Sequence, residues 1–468
     1  MNNKTNFGII GMGVMGRSLA KNIAGNGFSL SIYNRLTEAE KHVIPNFLKE
    51  TESLDIQGFT EIKSFIGSLA SPRKILLMVN AGTAVDSVIE QLLPSLEKGD
   101  LIIDGGNSHY QDTQRRCAQL EQISIQYLGV GVSGGEQGAL YGPSMMVGGN
   151  IKAYGLVQPI FEAIAAKDKN RQACVSLLGS DGCGHFVKTI HNGIEYAEMQ
   201  LLAECYSLLA STHSYEEIAA VFKEWNKGVL ASYLLEITAD ILTKKEGKDY
   251  LLDLILDKAG SKGTGSWSSQ IAFQLGVPAS MINAAVTARY LSMLKEKRVA
   301  MASLVGEVID SQSTIDVETL KQAYHFAKLI NHYQGFEIIK SASEAHQWNV
   351  NLSEISRIWT QGCIIKSQLM ESLVQLFKED NDLLKQPTFV SEVKNKTNEV
   401  NIVLNNAFNQ SIATPCISGG LQYWISITSE KSGAHLIQAQ RDYFGAHTYQ
   451  RNDKPPTGFF TTNWTANG

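Results

Sequence analysis

The chain has 468 residues, 44% of them hydrophobic and 19% charged, so it can bury a large core, and at ~150 residues per domain it should hold about three units. The formal net charge is −5. That balance excludes a global attraction to nucleic acid or anionic membrane, so any anionic ligand must be met by a local basic pocket. Six cysteines (Cys117, Cys174, Cys183, Cys205, Cys363 and Cys416) are scattered without CxxC pairing. This predicts buried, reduced thiols in a cytoplasmic protein, with neither a disulfide framework nor a metal site. No apolar run reaches the ~18–20 residues needed to span a bilayer.

The first ~178 residues alternate short apolar runs with amphipathic stretches. Phe7–Ile10, Leu30–Tyr33, Ile75–Val79 and Leu101–Asp104 read as buried parallel strands, and Val14–Asn26 and Thr83–Leu96 as helices between them. The alternation predicts a Rossmann-like α/β domain over residues 1–178. Runs around Tyr127–Gly131, Met145–Val147 and Cys174–Leu177 extend its sheet. Helical spacing then dominates in Phe186–Leu209, Ile218–Leu235, Val286–Val308, Val317–Ile339 and Leu352–Phe377. These predict a large all-α domain over 179–432. From Gly433 the pattern dissolves into an aromatic, Gly- and Pro-containing extended tail, 433–468, too short for a core of its own.

Gly11-Met12-Gly13-Val14-Met15-Gly16 follows the first strand and opens the first helix, the context a dinucleotide fingerprint requires. Gly11 permits the tight turn, Gly13 lets backbone approach a pyrophosphate, and Gly16 allows close helix–strand packing. About 20 residues on, where NAD-binding chains place an acidic residue, stand Asn34 and Arg35. A guanidinium there can pair with a 2′-phosphate, which favours NADP over NAD.

The run from Gly184 to Tyr196 carries Lys188, His191, Asn192 and Glu195. On a helix, seven residues turn roughly 700°, so Lys188 and Glu195 lie about 20° apart, with His191 and Asn192 on the same face. Surface charges and a satisfied core histidine would give the same spacing. A lysine in a dry pocket can instead titrate near neutrality and act as a base, with a protonated carboxyl as its partner acid.

This run, GHFVKTIHNGIEY, resembles the signature of the 6-phosphogluconate dehydrogenases. Further blocks resemble that family in the same order: Asp104-Gly-Gly-Asn107-Ser108, Val132-Ser133-Gly134-Gly135-Glu136, Tyr141-Gly-Pro-Ser, Lys262-Gly-Thr264-Gly, Trp359…Gly362-Cys363-Ile364-Ile365 and Arg441-Asp-Tyr-Phe-Gly-Ala-His447. The resemblance implies oxidative decarboxylation of 6-phosphogluconate to ribulose 5-phosphate and CO2 with reduction of NADP+, without a metal. It implies Lys188 as base and Glu195 as acid. Asn107, Ser133, Gly134, Gly135, His191 and Asn192 would hold substrate, with Asn107 also reaching the cofactor. Tyr196, Lys262, Thr264, Arg289 and Arg441 would surround the phosphate. It further implies a homodimer whose tail places Arg441 and His447 in the neighbouring subunit's site. The cofactor would also touch Leu36, Val79, Asn80 and Ala81. Five positions depart from the family pattern. Leu36 stands for a threonine, Asn80 and Ser266 for lysines, and Thr360-Gln361 for Arg-Gly, so affinities should shift while the catalytic pair is intact. Two rivals are a smaller-substrate β-hydroxyacid dehydrogenase and a catalytically idle NADP-binding interaction protein.

Overall fold

The computed structural model describes residues 4–261, 263–306 and 314–465. It divides into two compact units, Met1–Gly420 and Leu421–Gly468. The first unit opens with eight strands: β1 (Phe7–Ile10), β2 (Leu30–Tyr33), β3 (Ile56–Phe59), β4 (Lys74–Leu77), β5 (Leu101–Asp104), β6 (Gln126–Ser133), β7 (Ser144–Gly149) and β8 (Val175–Gly179). They form one sheet in the order β3-β2-β1-β4-β5-β6-β7-β8. Every pair is parallel except β6 with β7. Alternation along the strands divides the core between the two faces. Phe7, Ile9, Ile32, Ile103 and Val130 pack on one side, and Ile10, Ile75, Leu77, Ile102 and Tyr127 on the other. Each such side chain contributes roughly 1.5–3 kcal/mol on burial.

Strand β3 has no counterpart in the sequence reading. It is an edge strand of four half-buried residues, Ile-Gln-Gly-Phe, and so lacks an apolar run. Its Gly58 lets the helix Val43–Glu50 sit close, since a Cβ there would lie 2.6 Å from Ile44 Cγ2 and 2.8 Å from Leu48 Cδ1.

The helical part differs from expectation where long apolar patterns prove to be two helices. The stretch 218–235 spans Tyr215–Trp225 and the start of Tyr233–Thr243. Between them Asn226 Oδ1 accepts from Ser232 N at 2.7 Å, and Ser232 caps the second helix. Residues 286–305 divide into Ser280–Met293 and Lys295–Val305, broken where Leu294 leaves helical backbone angles; residues 307 and 308 of that expectation lie outside the described residues. Leu352–Phe377 becomes Leu352–Ile358 and Gln368–Glu379, separated by a loop in which Gly362 has φ +63°. That loop docks on β7, with Ser144 N donating to Gly362 O at 2.8 Å.

The helix Cys183–Leu209 is the spine of the helical part. It lies directly on the sheet because both surfaces are bare at the crossing. Gly129 and Gly131 of β6 turn no side chain towards it, and a Cβ on Gly184 would overlap the carbonyl oxygens of Met146 and Gly129. Gly184 costs the helix about 1 kcal/mol of propensity, and the close approach explains its presence. Further along, buried Glu198 pairs with Lys328 of the helix Val317–His346, and Tyr324 Oη donates to the same carboxylate at 3.2 Å. Among the described residues no helix is long and apolar enough to cross a membrane.

The second unit is more ordered than a purely extended tail. It contains the helix Ala434–Gly445, and a bridge joins Tyr449 to Phe460. Asp442, 2% exposed, organises the unit. Its carboxylate accepts from Thr448 N (3.1 Å), Thr462 N (2.9 Å) and Trp464 Nε1 (2.8 Å).

Candidate active site

A cleft of about 420 Å³ opens at the carboxyl ends of β1, β2 and β4, lined among others by Gly11, Met12, Gly13, Asn34, Arg35, Glu40, Val79 and Asn80. This is where ligands meet a parallel sheet whose strand order reverses. Gly11 has φ +96°, and a Cβ on Gly16 would overlap Gly11 O, whereas a Cβ on Gly13 would meet nothing within 4 Å. The turn therefore requires the first and third glycines, and the second leaves open space for a ligand. Asn34 Oδ1 accepts from Met12 N at 3.1 Å, so this amide anchors the glycine turn itself. Unlike an aspartate, it does so without negative charge. Val14 (61% exposed) and Leu36 (64% exposed) face outward, and Met15 packs into the core beneath. Val14, Met15, Gly16, Leu36 and Ala81 do not line the cleft.

Two loops beside this cleft are tied together by buried charge. Asp104 at the end of β5 accepts from Gly106 N (3.1 Å), Ser108 Oγ (2.6 Å) and Tyr127 Oη (3.0 Å), which holds the loop that exposes Asn107. Arg116, 1% exposed, donates to Asp86 Oδ1 at 2.8 Å and to Gly82 O at 3.0 Å, fixing the turn after Asn80 and Ala81.

The spine helix delivers the second cluster. Lys188 Nζ lies 3.1 Å from His191 Nδ1, which is 3.1 Å from Asn192 Oδ1 and 3.6 Å from Glu195 Oε2. The other ring nitrogen, Nε2, lies 3.0 Å from both Ser133 Oγ and Cys363 Sγ. A charged Lys188 donates to Nδ1, whereas the Asn192 carboxamide oxygen beside the same nitrogen accepts from it, so the ring tautomer follows the charge of Lys188. Lys188 is 7% exposed and His191 fully buried. Burial pushes the Lys188 amine below its ordinary range, against the opposing pull of Glu195 and Cys363. Burial raises the Glu195 carboxyl, against Lys188 and Arg289. It also drives His191 well down, helped by Lys188, so the imidazole is neutral. One helix face thus offers an amine able to lose its proton and a carboxyl able to keep one.

Further along, the Arg289 guanidinium stacks on the Tyr196 ring at 3.6 Å, and Tyr196 Oη lies 3.5 Å from Ser261 Oγ. Gly265 is required because a Cβ there would overlap that ring. Gly134 (φ +105°) and Gly135 (φ +60°) follow Ser133 in conformations that favour glycine. Lys262 lies outside the described residues, as does the side chain of Thr264. Arg441 and His447 are exposed residues of the second unit. Sequence reasoning did not single out Cys363 or Glu40. Cys363 lies 172 residues from His191, and its only signal was its place in the Trp359–Ile365 block. Glu40 gave no signal beyond proximity to Arg35.

Residues 6–179 match the NAD binding domain of 6-phosphogluconate dehydrogenase, and residues 184–464 match that enzyme's C-terminal domain. The chain belongs to the 6-phosphogluconate dehydrogenase family. It is 45% identical over 472 residues to a decarboxylating 6-phosphogluconate dehydrogenase of Lactococcus lactis, covering 98% of this chain and 99% of that protein. It is equally 45% identical, over 474 residues and with the same coverage, to an NADP(+)-dependent, decarboxylating member from Bacillus subtilis. Among solved structures it is similar to the Plasmodium falciparum 6-phosphogluconate dehydrogenase, studied apo, with its cofactor NADP+ and with its substrate 6-phosphogluconate. The TM-score is 0.91 at 38% identity, over 98% of this chain and 100% of that one.

Proposed function

We infer that this chain oxidatively decarboxylates 6-phosphogluconate to ribulose 5-phosphate and CO2, reducing NADP+ to NADPH. The observation that carries the reading is the Lys188–His191–Glu195 face, in a chain that also holds a dinucleotide-type cleft and matches this family end to end. NADP+, when bound, supplies the hydride acceptor; Gly11, Met12, Gly13, Asn34, Arg35, Val79 and Asn80 fit it by lining the cleft.

Lys188 takes the proton of the carbon-3 hydroxyl as the substrate is oxidised. The ketone so formed is β to the carboxylate, so loss of CO2 passes its electron pair into an enediol. Lys188, now protonated, donates to the carbonyl oxygen during that step. Glu195 protonates carbon 1 to give the product ketose. Each proton transfer is worth about 10²–10⁴-fold. Ser133, Gly134, Gly135, Asn107 and Asn192 orient the carboxylate end, and His191 positions Lys188. Tyr196 and Arg289, with Lys262, Thr264 and Arg441, hold the phosphate.

The functional division runs 1–178 for nucleotide, 179–432 for substrate and pairing, and 433–468 for a tail that reaches the partner subunit. Exposed Leu436, Ile437, Tyr443 and Phe444, each at least 59% exposed, support a homodimer in which Arg441 and His447 act in trans. Six free thiols, five of them buried, support a reducing cytoplasmic setting. The test is formation of reduced nicotinamide from 6-phosphogluconate and NADP+. Turnover of this substrate supports the reading, and its absence with either nicotinamide cofactor overturns it.

A further inference from the structure

Arg35, the cation among the lining residues of the cofactor cleft, is already paired with a carboxylate. Its Nε donates to Glu40 Oε2 at 2.8 Å and its Nη2 to Glu40 Oε1 at 3.4 Å, a two-pronged pair. Thr37 Oγ1 donates to Oε2 of the same carboxylate at 3.4 Å, and a turn closed by Glu40 N donating to Thr37 O at 3.0 Å holds the geometry. Glu40 itself lines the cleft beside Arg35. A guanidinium fork and a hydroxyl are the groups that receive a phosphate's oxygens, and the fork matches carboxylate and phosphate alike. The carboxylate therefore occupies two donors of Arg35 and the Thr37 hydroxyl, groups that could otherwise receive a 2′-phosphate. Among the described residues no other Lys or Arg lines the cleft, and Lys41, Arg17 and Lys21 are paired, the first with Glu38 at 2.8 Å and the others with Glu50 at 3.2 and 3.1 Å. A 2′-phosphate entering here meets one positive and one negative charge.

We propose that Glu40 is a specificity-determining residue, an internal competitor of the 2′-phosphate that narrows the preference for NADP+ over NAD+. NADP+ must displace Glu40 from Arg35 and Thr37 and then lie beside its charge. NAD+ leaves the pair intact, and its ribose 2′-hydroxyl can donate to the carboxylate as it does to the acidic residue of NAD sites. The inference rests on the NADP reading above for its biological meaning, but nucleotide binding tests it separately.

The experiment titrates 2′,5′-ADP and 5′-AMP calorimetrically into the full chain, as wild type, Glu40→Gln and Glu40→Ala. An exposed pair of this kind limits the effect to about fivefold. Both variants should bind 2′,5′-ADP about fivefold more tightly, with 5′-AMP affinity unchanged or weaker because its 2′-hydroxyl loses the Glu40 carboxylate. The ratio of kcat/KM for NADP+ over NAD+ should rise in step. Unchanged or weaker 2′,5′-ADP binding in both variants, or equal tightening of both nucleotides, overturns the proposal. A wild type that binds these nucleotides but turns over no 6-phosphogluconate would sink the proposed function and leave the role of Glu40 decided by the binding data alone.

Discussion

Gly131→Ala tests whether the bare crossing of strand β6 and the spine helix is what places the base. A Cβ at residue 131 would overlap Lys188 Cβ, lie 2.9 Å from Lys188 Cγ and stand 3.1 Å from Gly184 O. Non-bonded carbons rest at about 3.5–4.0 Å, so helix and strand must part by roughly 1 Å. The neighbours are the root of the Lys188 side chain and helix backbone, neither a flexible end that can swing away. Overpacking of this kind costs about 1–3 kcal/mol. The same displacement moves the amine from the reacting hydroxyl, and misplacement of ~1 Å can cost ~10² in rate. The assay compares kcat/KM for 6-phosphogluconate, the thermal midpoint and 2′,5′-ADP affinity between variant and wild type. Turnover should fall about a hundredfold and the midpoint should drop. Nucleotide affinity should hold, because the glycine turn is built from Met78 and β1, remote from this contact. Near wild-type turnover with an unchanged midpoint would refute the argument that these glycines set the position of Lys188.

Lys188→Met should lower the rate of oxidation by about 10²–10⁴-fold while 2′,5′-ADP still binds; near-normal turnover would remove Lys188 as the base. In the wild type, activity should rise with pH as Lys188, held below its ordinary range, loses its proton, and fall as Glu195, held above its own, loses the proton it must donate. Glu195→Gln should therefore give residual activity that climbs with pH without an alkaline decline, whereas a retained bell would show that another group is the acid. Asp442→Ala removes the acceptor of three tail donors. Tryptic cleavage after exposed Arg451 should accelerate about tenfold; an unchanged digest would mean that other contacts order the tail.

Strands β1, β2 and β5 were legible to the residue because both of their faces are buried, which makes each a mostly apolar run. The edge strand β3 was illegible for the opposite reason, its four residues being half-exposed. Helical periodicity found the apolar segments but not the breaks within them. An Asn226 side-chain bond, a capping serine at 232 and the positive φ of Gly362 interrupt helices whose apolar spacing continues almost in phase. The proposed catalytic face was legible because Lys188, His191, Asn192 and Glu195 share one helix, where spacing alone sets proximity. Ser133 and Cys363 reach His191 from a strand end and a distant loop, so only the tertiary fold brings them together. Arg35 was legible as a cation at the right strand end, but its pairing with Glu40 depends on a turn geometry that spacing does not encode.

In the proposed reaction, Lys188 and Glu195 on one helix face couple oxidation to loss of CO2. The most direct measurement quantifies CO2 and NADPH together during turnover of 6-phosphogluconate by the full chain. Equimolar release of both, with ribulose 5-phosphate as product, is the expected result. NADPH formed without CO2, or neither formed with either nicotinamide cofactor, would contradict it.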